Sequence, residues 1–358
     1  MDHAGRILRV RKAMEKARLD ALLVSHLPNV RYLTGFTGSA GLLLIDSRST
    51  RFYTDGRYTE QAAQEVSAAI IEVPKGPVLI AAAKQASKSR RHRLGFEAEQ
   101  MSVATRQHLG HAVGTSTRLK AVSGLVEGLR LVKDSEELDL IREAVRFGPE
   151  LLPVAYRAMK PGVAETRVAA KIEYAARSKG ASGMSFETIV ASGLRSALPH
   201  GVATTAPIPA KGFVILDFGV ILHGYCSDMT RTVHIGRATG DDRALYQAVL
   251  ESQLEAISAC KPGATMAEVD GAARGALKRA RLDKFFTHST GHGLGLEIHE
   301  RPRLAQGQTQ ELRPGMVVTI EPGVYLSGRG GVRIEDVVVI TGAGCEVLTP
   351  AKKDWLQL

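Results

Sequence analysis

The chain of 358 residues is 44% hydrophobic and 23% charged, which is typical of globular proteins and excludes a disordered chain or a fibrous repeat. Its net charge of +10 arises mostly within residues 1–124, where 19 Lys and Arg stand against 10 Asp and Glu. The densest basic run, at residues 84–93, contains no interleaved aromatic residue. A solvated basic face is therefore the better interpretation, and no nucleic-acid partner is expected.

The first part of the chain alternates apolar runs with helical patterns, which predicts a small α/β domain. We assign this domain to residues 1–123. Strands are predicted at 21–25, 41–45, 51–54, 69–73 and 94–96. Helices are predicted at 7–17, 57–66, 78–88 and 102–112.

The second part begins with a long amphipathic helix, predicted from Asp134 to about Met159, where Pro161 and Gly162 end it. Further helices are predicted at 165–179, 243–259 and 266–281. Strand patterns occupy residues 187–232 and return after the last helix. Helices combined with antiparallel strands predict an α+β domain, which we assign to residues 124–358.

No apolar run approaches the roughly 18 residues of a transmembrane helix, and the N-terminus lacks the apolar core of a signal peptide. The three cysteines, Cys226, Cys260 and Cys345, are widely spaced and form no CxxC motif. These features predict a cytoplasmic protein without a membrane partner. Cys226 is expected to be a small buried residue.

Two carboxylates, Asp217 and Asp228, lie eleven residues apart in segments of strand composition. In an antiparallel hairpin, the numbers of opposed residues have a constant sum. For this pair the sum is 445, which centres the turn between Leu222 and His223. Asp217 is therefore expected opposite Asp228, with both side chains on one face of the sheet.

Glu321 and Glu335 repeat this arrangement, because their sum of 656 centres a second turn on Gly328. A single β-bulge would shift either register. One interpretation is that these acids are solvent-facing strand residues that share no function. Their apolar neighbours predict burial instead, where an unpaired carboxylate costs several kcal/mol. Bound cations are therefore the better interpretation of two facing acid pairs.

Four carboxylates carry a charge of −4, which two divalent ions would balance. With one histidine added, the donors suit Mn²⁺, Co²⁺, Fe²⁺ or Zn²⁺ better than Ca²⁺. Two such ions, roughly 3.5 to 4 Å apart, polarise a carbonyl and activate water. Hydrolysis is the predicted chemistry.

Four histidines lie near the acidic segments. His292, between Gly291 and Gly293, is the candidate ligand because glycine neighbours leave its imidazole unobstructed. His299 and His200 are candidates for contact with a substrate carbonyl or an oxyanion. For His288, a structural role and a role in the site are equally consistent with the sequence.

Arg333 shares its strand face with Glu335. Its guanidinium either anchors the acids or a substrate carbonyl, or forms a salt bridge that only supports the fold.

The chain resembles the pita-bread metallopeptidases, in particular the Xaa-Pro aminopeptidases (aminopeptidase P) and the Xaa-Pro dipeptidases (prolidases). The matching motifs of the second domain are LDFGVILHGYCSDMTRT, STGHGLGLEIHE, TIEPGVY and GVRIED. The first domain contributes the softer matches YLTGFTGSAGLLLI and TDGRYTEQA, and SALPHG contains the expected histidine. The resemblance extends over essentially the whole chain.

This resemblance implies a pita-bread domain of two pseudo-symmetric halves, preceded by a smaller creatinase-like α/β domain. It also implies cleavage before proline and a homodimer or homotetramer. Its metal site would hold two ions, commonly Mn²⁺, through Asp217, Asp228, His292, Glu321 and Glu335. In addition Glu321 would handle the proton of the attacking water, His200 and His299 would stabilise the intermediate, and Arg333, Tyr325 and His288 would line the substrate site.

Three functions remain open at this point. The first, which we favour, is an Xaa-Pro aminopeptidase that removes the N-terminal residue before proline from longer peptides, and the second is a prolidase restricted to dipeptides. A prolidase would need a cation for the carboxylate of its substrate, such as Arg51 or Arg57. The third is a non-catalytic peptide-binding or interaction protein of the same fold, which the complete set of ligand positions disfavours.

Overall fold

The computed structural model describes residues 1–88 and 92–358, so the predicted basic run at 84–93 lies partly outside the described residues. The chain divides into two compact units, Met1–Arg130 and Leu131–Leu358. This division falls seven residues beyond the boundary expected from the sequence. Over the described ranges, no helix is both long enough and apolar enough to span a membrane.

A six-stranded mixed sheet forms the centre of the first unit, with the order β4-β3-β2-β1-β5-β6. The central strands β1, β2 and β3 are antiparallel, and the outer pairs are parallel. The strands are β1 (Ala21–Val24), β2 (Leu42–Asp46), β3 (Thr50–Tyr53), β4 (Ile70–Glu72), β5 (His92–Glu97) and β6 (Thr117–Val122). The helices are α1 (His3–Lys16), α2 (Leu27–Thr34), α3 (Thr59–Glu65), α4 (Val78–Ala86), α5 (Val103–Val113) and α6 (Glu127–Arg130).

Each strand and helix predicted for this unit is present, with ends shifted by a few residues. Three elements were missed: α2, β6 and α6. Strand β6 lies at the sheet edge and buries only one of its six residues, so it has no apolar run to detect. Helix α2 has only eight residues and ends at Gly35 in the left-handed conformation.

The helices of the second unit are α7 (Ser135–Val145), α8 (Phe147–Ala158), α9 (Glu165–Ser178), α10 (Gly240–Ala259) and α11 (Met266–Arg279). The prediction of a single long helix from Asp134 is thus wrong, because the chain forms two helices that are separated at Arg146. Pro149 explains the break. It has no N–H to donate to the Val145 carbonyl four residues earlier, and its ring clashes with that carbonyl.

Thirteen short strands complete the second unit in the described chain. They form sheets with the orders β11-β10-β7, β12-β9-β8, β14-β13-β15-β18-β19 and β16-β17. They are β7 (Gly183–Met184), β8 (Ile189–Ser192), β9 (Gly212–Phe218), β10 (Val220–Leu222), β11 (Tyr225–Cys226), β12 (Met229–Ile235), β13 (Gly291–Gly293), β14 (Glu300–Leu304), β15 (Val317–Ile320), β16 (Gly323–Leu326), β17 (Gly330–Arg333), β18 (Asp336–Ile340) and β19 (Cys345–Val347).

The second unit has two similar halves. Helices α8 and α9 pack on β8, β9 and β12, whereas α10 and α11 pack on the sheet that contains β15 and β18. The halves meet where β12 lies beside β17 and β18. There the Glu335 amide donates to the Thr230 carbonyl (3.2 Å), and the Arg333 amide donates to Thr232 Oγ1 (3.1 Å). This seam carries the predicted acidic residues.

Candidate metal centre

The first acidic hairpin has a register different from the predicted one. Asp217 pairs with Thr230, so opposed residues sum to 447 and the predicted sum of 445 is wrong. The turn consists of His223 and Gly224, both with positive φ (49° and 83°). A two-residue hairpin turn of this kind matches the strand twist, and it centres the turn one residue later than predicted. The shift preserves parity, so Asp217 and Asp228 still face the same side.

The second acidic hairpin has the predicted register. The pairs Val317–Val339 and Val324–Val332 both sum to 656, and no bulge intervenes. Glu321 and Glu335 therefore lie opposite each other, in the gap between two ladders of the same hairpin.

His292 reaches this acidic seam from β13. Glycine is required before it, because a Cβ on Gly291 would lie 1.8 Å from the Thr319 carbonyl oxygen. His292 Nδ1 lies 3.0 Å from the Gly293 carbonyl oxygen, which can only accept, so Nδ1 carries the proton. Its Nε2 lone pair is left facing Asp228 Oδ2 (3.6 Å) and Glu321 Oε1 (3.5 Å). Burial lowers the pKa of His292 to about 4, so the ring is neutral at pH 7.

The donor atoms of Asp228, His292 and Glu335 all lie within 4.8 Å of one another. Three oxygens around them, Asp217 Oδ1, Asp228 Oδ1 and Glu335 Oε1, are buried and have no hydrogen-bond partner in the described part of the chain. Buried carboxylate oxygens are normally satisfied. Oxygens and one neutral imidazole nitrogen without partners are the donors that a divalent transition-metal ion takes. The residues present thus fit a metal ion.

The same acids repel each other when no cation is bound. Burial, and then the charges of the other acids, raise the pKa values of Asp228 and Glu335 well above the usual carboxyl range. Burial also raises the pKa of Glu321 to about 8. A bound cation would supply positive charge that offsets this repulsion and favours the ionised carboxylates.

A hydrogen-bonded chain runs from the acids through Arg333 and Tyr325 to His288. Arg333 Nη2 donates to Asp217 Oδ2 (2.6 Å), and Nη1 donates to the Tyr325 hydroxyl (2.8 Å). The hydroxyl lies 2.8 Å from His288 Nε2. Because His288 Nδ1 faces the Ser289 carbonyl (2.9 Å), Nε2 is the acceptor and Tyr325 is the donor. Burial lowers the pKa of His288 to about 4, which keeps this ring neutral as well.

The other two predicted histidines, His200 and His299, are exposed. The His299 ring lies 4.4 Å from the His292 ring between centroids, in an edge-to-face contact. Burial, followed by the charge of His200, lowers the pKa of His299. The residue before His200, Pro199, accepts a hydrogen bond from Arg333 Nη1 through its carbonyl (2.9 Å).

Arg51 and Arg57, the candidates for binding a substrate carboxylate, are both paired within the first unit. Arg51 binds Glu72, and Arg57 binds Asp55 through two nitrogens.

Comparison with known proteins identifies the family. Residues 139–342, more than half of the chain, match metallopeptidase family M24, and residues 6–132 match the creatinase/prolidase N-terminal domain. The chain belongs to metallopeptidase family M24. The predicted pita-bread fold, the metallopeptidase class and the dependence on divalent metal are therefore confirmed at the level of the family.

Three relatives illustrate the similarity of this M24 peptidase to known structures and sequences. An Xaa-Pro dipeptidase from Bacillus anthracis is 39% identical with a TM-score of 0.96, and the match covers all of both chains. An Xaa-Pro dipeptidase of Pyrococcus furiosus is 34% identical over 98% of this chain and 99% of its own. An X-Pro aminopeptidase from Thermotoga maritima is 33% identical with a TM-score of 0.89, covering 97% of this chain and 100% of its own.

The predicted preference for aminopeptidase activity is not confirmed by these relatives. Their names support the dipeptidase alternative better, since dipeptidases are more numerous among the similar proteins.

Two threonines of this M24 site were missed by sequence reasoning. Thr230 Oγ1 donates to Glu335 Oε2 (2.7 Å) and accepts from Arg333 Nε (3.2 Å). Thr319 Oγ1 accepts from the His292 amide (3.1 Å) and lies 3.5 Å from Glu321 Oε1. Each threonine stands two residues from a predicted acid, and therefore on the same strand face. This spacing is the signal that would have revealed them.

Proposed function

We propose that this chain is a metal-dependent Xaa-Pro dipeptidase, which hydrolyses dipeptides that have proline in the second position. The observation that carries the metal dependence is a group of three buried carboxylate oxygens around the neutral His292 that have no hydrogen-bond partner among the described residues. The choice of substrate rests on the similarity to Xaa-Pro dipeptidases along the full chain.

In this proposal, Asp217, Asp228, His292, Glu321 and Glu335 hold two divalent ions. Mn²⁺ is the proposed ion, and Co²⁺, Zn²⁺ or Fe²⁺ would suit the same donors. When bound, such ions polarise the scissile carbonyl and lower the pKa of the attacking water. The His292 tautomer supports this role, because its Nδ1–H is held by a carbonyl and its Nε2 is free to bind.

Glu321 is the acid best suited to proton transfer. Its side chain is 17% exposed, compared with 6% for Asp228 and 11% for Asp217, so substrate and water can reach it. A carboxylate in this position accepts the proton of the attacking water and returns it to the leaving proline nitrogen.

The remaining polar residues hold and orient the substrate. His299 lies beside the His292 ring, and His200 follows Pro199, whose carbonyl Arg333 binds. Both histidines are exposed and can donate to the substrate carbonyl as negative charge develops on it. Arg333 is held by Asp217, Tyr325 and the Pro199 carbonyl, so its guanidinium acts as a fixed support for the acid and for the loop before His200. His288 accepts from Tyr325 and completes this support.

An Xaa-Pro aminopeptidase is the second candidate, favoured by the similarity to the aminopeptidase from Thermotoga maritima. The two activities differ in whether the residue after proline is present. A dipeptidase recognises the free carboxylate of proline, whereas an aminopeptidase must leave that side open.

The test compares an Xaa-Pro dipeptide with the corresponding Xaa-Pro-Xaa tripeptide, using purified protein that has been stripped with a chelator and reloaded with Mn²⁺. Turnover of the dipeptide alone supports the dipeptidase. Efficient turnover of the tripeptide supports the aminopeptidase and refutes the dipeptidase. No turnover of either substrate with Mn²⁺, Co²⁺, Zn²⁺ or Fe²⁺ would refute both.

A further inference from the structure

Glu165, the first residue of α9, has no exposed surface and binds both ends of the loop that contains His200. At the start of this loop, Ser192 donates its amide (2.8 Å) and its hydroxyl (2.7 Å) to Glu165 Oε1. At the end, Thr204 donates its amide (3.1 Å) and its hydroxyl (2.9 Å) to Oε2. One carboxylate therefore closes the loop 193–203 into a ring.

Arg195 neutralises this carboxylate and binds the loop from inside. Its Nε lies 3.0 Å from Glu165 Oε2, and its Nη2 donates to the Val202 carbonyl (2.7 Å). The tip of the loop is held separately, because Arg333 donates to the Pro199 carbonyl. The loop that presents His200 is thus fixed at its base by Glu165 and Arg195, and at its tip by a residue of the metal site.

The second half of the unit contains the same arrangement. Asp270, on α11, has no exposed surface and accepts the amide (3.2 Å) and the hydroxyl (2.8 Å) of Thr290 on Oδ1. Arg274 donates to Asp270 Oδ2 (2.7 Å), to the Phe286 carbonyl (3.0 Å) and to the His288 carbonyl (2.6 Å). In both halves, a buried carboxylate paired with a partly exposed arginine holds the backbone beside a histidine.

The two histidine segments converge on one residue, Arg333. The segment with His200 reaches Arg333 through Pro199, and His288 reaches it through Tyr325. Burying a carboxylate is costly even when an arginine pairs with it, and well-packed apolar residues would hold a fold as well. Two matched pairs that both end at the metal site therefore point to a function in positioning.

We propose that Glu165 and Asp270 are positioning residues, which fix His200 and His288, respectively, around Arg333. The inference rests on the proposed peptidase function, because His200 acts there as a donor to the substrate. Glu165 touches no substrate and acts only through the loop. Its replacement should reduce turnover without changing the metal content.

The test is a double-mutant cycle that combines Glu165→Gln with His200→Ala. The single change Glu165→Gln should lower kcat at least about tenfold, since displacement of a donor by about 1 Å costs on that scale, and should change KM less. In the His200→Ala background, the same change should lower kcat less than about threefold, because no donor is left to displace. The matched control is Glu173→Gln, which alters an exposed glutamate of the same helix.

Equal reductions of kcat by Glu165→Gln in both backgrounds would overturn the proposal, as would loss of bound metal in the Glu165→Gln protein. If that protein does not fold, Thr204→Val replaces it in the cycle, because this change removes one hydroxyl donor and leaves the ion pair intact. The corresponding cycle of Asp270→Asn with His288→Ala tests the second half.

Amide hydrogen exchange provides a readout that does not depend on turnover. Glu165→Gln should speed exchange across residues 193–204, and Glu173→Gln should not. An inactive wild-type protein with this exchange pattern would refute the peptidase function and leave the loop fixed by Glu165. An active protein with unchanged exchange in Glu165→Gln would refute the positioning role alone.

Discussion

Replacing Glu321 with glutamine should stabilise the metal-free protein at neutral pH, although it removes a proposed ligand. Burial raises the pKa of Glu321 to about 8, from 4.5 for an ordinary glutamate. Since the folded-state pKa is higher than the unfolded one, the folded state favours the protonated acid. Stability is therefore undiminished below about pH 4.5 and decreases as the pH rises towards about 8.

The size of this effect follows from the two pKa values. At pH 7 the pH lies about 2.5 units above the pKa of the unfolded acid, and each unit is worth about 1.36 kcal/mol. The raised pKa therefore lowers the free energy of unfolding by about 3 kcal/mol at pH 7. The new amide in Glu321→Gln needs hydrogen-bond partners in a buried site, which costs about 1 kcal/mol. The expected net stabilisation is about 2 kcal/mol at pH 7 and close to zero at pH 5.

Urea unfolding of chelator-treated protein between pH 5 and pH 8 measures this difference. The matched control is Glu311→Gln, which changes an exposed glutamate of the same unit and should have no pH-dependent effect. With saturating Mn²⁺ the order should reverse, because the variant lacks one ligand and gains less from binding. A stability difference that does not grow between pH 5 and pH 8 would refute the reasoning.

One substitution and one chemical labelling experiment test the metal site and the cysteines. Asp228→Ala should abolish both turnover and tight metal binding while the circular dichroism spectrum stays unchanged, and appreciable activity in this variant would contradict the ligand assignment. Iodoacetamide at pH 8 should modify Cys345 before Cys226 and Cys260, as mass spectrometry can show. A hydrogen bond with Cys260 lowers the pKa of the half-buried Cys345 to about 7, whereas the other two thiols are buried. Simultaneous labelling of all three in the folded protein would contradict this.

The two acidic hairpins show what sequence arithmetic can and cannot predict. The second register is correct because the turn is symmetric about Gly328, which has a positive φ of 75°. The first register is wrong because His223 also adopts a positive φ, and a non-glycine residue gives little sign of this in the sequence. The predicted grouping of the acids does not depend on this error, because a shift of two in the sum of opposed residue numbers keeps every side chain on the same face of the sheet.

Local patterns identify the candidate histidine ligand less securely than they identify the acids. His288, His292 and His299 all lie in one glycine-rich segment, and their positions depend on contacts with distant strands. His292 is fixed by Thr319, 27 residues later in the chain, which accepts a hydrogen bond from its amide. Such pairings between distant segments are decided by the tertiary fold, so the choice of His292 over His288 or His299 leans on the resemblance to a known family.

The acids cluster because each hairpin passes from one sheet to another at or beside their positions. Glu321 and Glu335 occupy the gap between the β15–β18 ladder and the β16–β17 ladder, and Asp228 occupies the corresponding gap between β11 and β12. The register is constant across each gap, so the two strands bend together and keep their side chains aligned. At such a corner the backbone ladder is interrupted and leaves room for charged groups. Two corners that face each other across one seam therefore bring four carboxylates together, although each hairpin positions only its own pair.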